Sequence, residues 1–236
     1  MKGELAELAA TTPGAETPVG AAEAALLTES HPWYADGLRW LDDFIMRPDR
    51  RLGRRGAVCP FVAPALAQDI VCFTTLRSAG RSASDAHESC SVLADLFLDR
   101  FGGKPEFRSA ALLAFFPDVA PEDAPAFIDG GHRLLRMPFV RRGLMIGEFH
   151  PRSTVASVHN PAFVVGAAPV PIFAVRALSG HDLMFLDRDD YPPAVRYEFV
   201  RQFDRYLGAQ LGSAARARLD RRLECLRDAA LEDGNR

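Results

Sequence analysis

From Trp33 onward the apolar positions recur at helical spacing. In WYADGLRWLDDFIM, Trp33, Leu38, Trp40, Leu41, Phe44 and Ile45 fall near one face, and Pro48 ends the pattern. DIVCFTTL, residues 69–76, is rich in β-branched and aromatic side chains and predicts a strand. SASDAHESCSVLADLFLDRF predicts a helix with Ser84 as N-cap, a buried stripe of Val92, Leu93, Leu96, Phe97 and Phe101, and a stop at Gly102-Gly103. SAALLAFFPD, residues 109–118, is apolar on both faces and predicts a central strand closed by Pro117. Pro121 opens a predicted helix through Ile128. Strands follow at 143–149, 162–165 and 170–178, and helices at 193–207 and 213–230.

Strands and helices alternate without the regular period of a doubly wound sheet, and no internal repeat is present. The expected fold is mixed α/β, or α+β: one central mixed sheet of about five strands flanked by helices. Residues 1–30, rich in Ala, Thr, Glu, Gly and Pro, are expected to be a flexible arm with at most a short helix at 21–27; residues 31–236 are expected to be a single domain.

Charge adds exclusions. A net charge of −3, with 28 basic residues scattered along the chain, gives no electrostatic footprint for nucleic acid or an anionic membrane. No stretch approaches the roughly 20 apolar residues that span a bilayer. The cysteines at 59, 72, 90 and 225 lack CxxC spacing, and the N-terminus lacks a secretion-type apolar run, so reduced thiols in a cytoplasmic protein are expected. The absence of GxGxxG, Walker A and GxSxG patterns argues against dinucleotide, nucleotide and α/β-hydrolase chemistry.

Candidate chemistry concentrates in GLMIGEFHPRSTVASVHNP, residues 143–161. Alternation along the strand puts Glu148 and His150 on one side and Phe149 on the other. Pro151 biases His150 towards extended backbone and removes the next ladder donor, so the strand ends with an imidazole at its exit. Three readings of these residues stand open. His150 caps the strand through Ser153, Thr154 or a carbonyl, with His159 an ordinary turn residue. Alternatively Glu148, His150 and His159 form a two-imidazole, one-carboxylate non-heme Fe(II) site. In the third, a histidine is the axial ligand of heme in a pocket of Phe115, Phe116, Phe149 and Phe163, with arginines on the propionates.

The segment resembles the His-Pro block of the YqcI/YcgG family of heme-dependent oxygenases: an apolar strand, His150-Pro151, the hydroxyls Ser153-Thr154, then Pro161 and Phe163 to Val165. VCPF at 58–61 resembles that family's upstream cysteine-phenylalanine block. The set GAVCPFVAPAL, AFFPD, GLMIGEFHP and PVPIFAVRAL, spanning about residues 55–186, is also similar to a bacterial family associated with specialised metabolism that carries no established reaction. The resemblance implies a heme b oxygenase acting on an amino-acid-like small molecule with dioxygen and an electron donor, the homodimer being an allowed assembly. It implies His150 as iron ligand and Cys59, Pro60 and Phe61 as pocket wall. Two positions depart from the heme pattern: the nearest arginine, Arg152, precedes the hydroxyl pair, and Val165-Gly166 stands in place of Phe-Asn. Within this reading Glu148 and His159 are the candidate catalytic residues, with Phe149, Arg152 and Arg176 beside the cofactor. The planar fork of Arg176 suits a carboxylate. The bland readings are a buried inert thiol at Cys59, surface positions for His87 and His132, a loop pair at His181-Asp182, and a small-molecule-binding or accessory protein without catalysis.

Overall fold

The structure is a computed structural model that describes residues 14–78 and 80–234. A mixed α+β fold is built on a five-stranded sheet of order β1-β2-β3-β7-β4. Its strands are β1 (Val19–Gly20), β2 (Val71–Thr75), β3 (Ala111–Phe115), β7 (Ile172–Ala177) and β4 (Leu144–Phe149). β2 and β3 are parallel and the other pairs antiparallel. The remaining two strands, β5 (Ala156–Ser157) and β6 (Asn160–Val164), form a separate hairpin ladder. The sheet therefore has the expected size with one unexpected member. The segment expected at 162–165 leaves it for the hairpin, and Val19-Gly20, from the segment expected to be a flexible arm, takes an edge beside β2. Ala24 of the following helix α1 (Ala21–Leu26) is fully buried, which ties this stretch to the core. Residues 1–13 lie outside the described residues.

Both faces of the sheet are covered. The register aligns Phe73, Leu113, Ala174 and Gly147 on one face. There helix α2 (Pro32–Trp40) packs, with Tyr34 edge-on to Phe73 and Phe115 at 5.7 and 5.3 Å. Gly37 permits this approach: a Cβ there would lie 2.5 Å from Phe115 Cζ. The chain continues from α2 as a single π-helical turn, Leu41–Ile45.

The other face carries Leu112, Val175 and Ile146 in one row and Ala114, Phe173 and Glu148 in the next. It lies beneath α4 (Ala83–Cys90), α5 (Leu93–Phe101) and α6 (Gly130–Val140), which follow α3 (Val62–Ala67) in chain order. The single helix expected over 84–101 is thus two, capped by Ser82 rather than Ser84 through a reciprocal Ser82/Asp85 box. The break at Ser91-Val92 follows Ser89, whose hydroxyl donates back to the Asp85 carbonyl at 2.7 Å, a side-chain bond that competes with the helix ladder. The helix expected from Pro121 through Ile128 is instead a π turn, Pro125–Asp129, that runs on into α6 through Gly130-Gly131. Here the two glycines sit inside a continuous helical run because α4 lies against them: a Cβ on Gly131 would be 2.4 Å from Ala86 Cβ, and one on Gly130 2.9 Å from Ala83 Cβ.

A short α7 (Leu183–Leu186) leads to α8 (Pro193–Leu207) and α9 (Ser213–Gly234). These pack on each other and share a second apolar cluster with Val140 and Met145, beside the β4 edge of the sheet. Asp187 accepts from Arg196 at 2.9 Å and from Arg222 at 2.6 Å, joining the start of α8 to α9. No described helix is long and apolar enough to cross a membrane.

Candidate functional site

The alternation read from the sequence holds along β4: Glu148 and His150 project to the face covered by α6, and Phe149 turns to the opposite face. There Phe149 meets Trp40 edge-on at 5.2 Å. Glu148 and His150 do not bond each other. Each meets a residue of the helical run above, where Asp129 and His132 are spaced three apart and so lie one above the other.

His150 is completely buried, and both its ring nitrogens are engaged. Nδ1 accepts the Arg152 backbone N–H at 3.2 Å, which leaves the proton on Nε2, donated to Asp129 Oδ1 at 2.9 Å. Its backbone is fixed as well. The His150 N–H donates to the Gly166 carbonyl, and its carbonyl accepts from Ser153 and Ala168. His132, expected on the surface, is 8% exposed. Its Nδ1 lies 2.6 Å from Glu148 Oε2 and its Nε2 3.0 Å from the Ile146 carbonyl. Both of its nitrogens therefore face acceptor oxygens.

The other sequence candidates are dispersed. Cys59, Phe61 and Arg176 gather at the opposite end of the sheet, four residues along β7 from the Ile172–Phe149 row, or about 13 Å at the rise of a strand. The carboxylate partner of Arg176 is internal: both Nη atoms donate to the fully buried Asp182, at 2.7 and 2.6 Å. Burial disfavours the guanidinium charge there, and the hydrogen bonds and charge of Asp182 more than offset it, raising the Arg176 pKa. Asp182 thus pairs with Arg176 rather than His181, whose ring faces the exposed Phe61 at 6.2 Å. The Arg152 and His159 side chains are in exposed residues, and the His159 backbone lies against Gly53, whose φ of +82° suits glycine alone. Glu148, His150 and His159 are not brought together, and among the described residues no group of three His, Cys, Asp or Glu is placed to hold a metal ion.

These contacts decide how well the chain fits an iron group at His150. An axial ligand needs a ring nitrogen with a free lone pair facing a void. Here Nδ1 is spent on a backbone N–H, Nε2 carries a proton, and the ring has no exposed surface. His150 does not fit as a heme or non-heme iron ligand. Its role is to bind the π-turn residue Asp129 to the strand end and, through Gly166 and Ala168, to hold the segment that follows β6.

That segment is one wall of a cleft of about 500 Å³. Ala167, Ala168 and Pro169 line it together with Trp40 and Phe44, and Ala162, Phe163 and Val164 of β6 with Arg51 complete the lining. Trp40 Nε1 donates to the Ala167 carbonyl at 2.8 Å, and the Phe44 and Phe163 rings stand 6.1 Å apart. The Arg51 guanidinium lies 4.9 Å over Phe163. Only Phe163 among these had been singled out from the sequence, and then for a different pocket; Trp40 and Phe44 read there as core.

The molecule is thus a mixed α+β domain with a hydrogen-bonded histidine post at a strand end and an aromatic cleft beside it. The chain belongs to the family described as a domain of unknown function, DUF6875, whose profile matches residues 35–217. No curated protein and no solved structure matches the chain.

Proposed function

We propose that the chain is a small-molecule-binding domain whose ligand occupies the cleft between the π turn after α2 and the hairpin strand β6. The observation that supports this is the cleft itself: about 500 Å³, walled by Trp40, Phe44 and Phe163 and carrying one cation, Arg51. The hollow is shallow and open to solvent, and its lining is mostly apolar with few polar groups, the composition usual for small-molecule sites. The walls are held in advance of binding. Trp40 is hydrogen bonded to Ala167, and His150 clamps the backbone on either side of that residue. A wall ordered before the ligand arrives loses less entropy on association.

The chain has two tryptophans, which gives a direct test. With 5-fluorotryptophan incorporated, fluorine NMR resolves Trp40 in the cleft from Trp33, which donates to Thr75 Oγ1 elsewhere. A library of aromatic metabolites and fragments is expected to move the Trp40 resonance and leave Trp33 in place. A saturating screen that never moves Trp40 refutes the reading. The oxygenase implied by resemblance makes a different prediction, a Soret band on reconstitution with hemin that disappears in His150→Ala. The hydrogen bonding of His150 predicts no such dependence.

A further inference from the structure

We infer that the cleft selects an aromatic carboxylate, a flat apolar body whose carboxylate is received at the Arg51 lip; this rests on the reading of the cleft as a small-molecule site. The apolar part follows from the walls. Trp40 presents its ring to the cleft while its only donor is used on Ala167, and Phe44 and Phe163 have no polar atoms to offer. A ligand body here is held by stacking and burial rather than by hydrogen bonds.

The charge follows from the lip. Arg47, Arg50, Arg51, Arg54 and Arg55 crowd one short stretch of sequence. Arg47 pairs with Asp42 and Arg51 with Asp49, whereas Arg50, Arg54 and Arg55 have no carboxylate partner among the described residues. No Asp or Glu lines the cleft. Of these arginines only Arg51 is placed on the cleft, so the lip presents one cation beside an apolar slot. It is also anchored to the hairpin: Ser157 Oγ donates to the Leu52 carbonyl at 3.0 Å and Asn160 Nδ2 to the Arg51 carbonyl at 2.6 Å.

Arg51 itself sets the class of anion. Asp49 takes its Nε and Nη2, leaving Nη1 without a hydrogen bond among the described residues, while the guanidinium plane rests on Phe163. One open donor edge on a stacked guanidinium suits a carboxylate. Asp49 opposes any anion at this place, a dianionic phosphate about twice as strongly as a monoanionic carboxylate.

The test compares 2-naphthoate with its neutral analogue 2-naphthamide on the full chain by isothermal titration calorimetry, with saturation-transfer NMR to detect weak binding. Naphthoate is expected to bind at least tenfold more tightly. Arg51→Gln is expected to abolish that preference while leaving the naphthamide affinity in place, which also shows that the variant is folded. Arg218→Gln, on the exposed face of α9, is expected to retain the preference. Equal affinities of the two probes, or a preference that survives Arg51→Gln, overturn the carboxylate assignment and leave the cleft reading standing. Failure of both probes to bind the wild-type chain overturns the carboxylate assignment, and the cleft reading falls with it only if the Trp40 resonance also stays in place throughout the fluorine screen.

Discussion

Replacing Asp129 with alanine leaves the His150 Nε2–H, inside a fully buried ring, without its acceptor. A hydrogen bond to a charged group contributes about 1.5–3 kcal/mol, and a buried donor left unpaired costs about 1–3 kcal/mol. The Asp129 side chain is 26% exposed, so water can enter where the carboxylate was, and the lower part of that range applies. Alanine also recovers about 0.5 kcal/mol of helix propensity relative to aspartate. The expected loss for Asp129→Ala is about 1.5 kcal/mol. Asp129→Asn keeps an Oδ1 acceptor and gives up only the charge, so about half that loss is expected.

Urea unfolding is the assay, read as a shift of midpoint at unchanged m-value so that the difference is one of stability and not of compactness. Asp118→Ala is the control: it removes an exposed pair with Arg77 and should change stability by less than about 0.5 kcal/mol. Nitrogen NMR of the His150 ring should show the Nε2–H tautomer, with Nδ1 unprotonated and accepting from Arg152. Two results would refute the reasoning. One is Asp129→Ala matching the wild type within about 0.3 kcal/mol, well inside the range expected for the lost bond. The other is a ring protonated on Nδ1, which would free Nε2 and restore His150 as a ligand candidate.

Arg176→Ala should lower stability by about 3 kcal/mol because Asp182, 0% exposed, keeps only Ser179 as partner; the double variant Arg176→Ala/Asp182→Asn, by thermal melting, should recover part of that loss, and additive effects would show the pair to be uncoupled. At Asp187, burial pushes the carboxyl pKa up, but the hydrogen bonds and charges of Arg222 and Arg196 more than offset this and hold it below its ordinary value. Its contribution is therefore full above the unfolded pKa of about 3.9 and is lost as pH falls through the lower folded value. Asp187→Asn should thus be less stable than the wild type near pH 7, with the gap closing below about pH 4, and a gap that widens in acid would be contrary to the assignment. Gly37→Ala should destabilise by about 2 kcal/mol despite its better helix propensity, since the new Cβ meets Phe115, itself stacked on Phe73 at 5.6 Å and unable to retreat; a neutral or stabilising result by urea midpoint would show that α2 can lift.

Where local pattern and tertiary demand agree, the fold is readable from the chain. β2, β3, β4 and β7 are uniform apolar or alternating runs, with Pro117 after β3, Gly143 and Pro151 around β4 and Pro171 before β7, and the sheet forms from them. Where a residue type has two uses, pattern fails. Gly130-Gly131 is a stop by propensity and a close-packing surface by contact, and only the presence of Ala83 and Ala86 on α4 decides between them. The same ambiguity displaced the edge strand: Val19-Gly20 carries too little periodicity to register as β, and its pairing with Phe73 and Cys72 is specified by the partner.

The site shows the same division more sharply. Alternation correctly placed Glu148 and His150 on one side of a strand that ends at Pro151, because that depends on sequence neighbours alone. Their partners are set by tertiary contact: Asp129 and His132 come from a helical run that extends past the end expected at Ile128, and local pattern alone does not assign them to His150 and Glu148. Once Nε2 of His150 is committed to Asp129 and Nδ1 to the chain's own turn, the reactive-looking imidazole becomes a fixed post. What it fixes is the Gly166–Ala168 backbone, and that backbone is the wall that accepts the Trp40 indole. The residue that drew attention in the sequence therefore bears on ligand binding only at second hand: loosening it through Asp129→Ala should also weaken whatever the cleft holds, although neither residue of the pair lines the cleft.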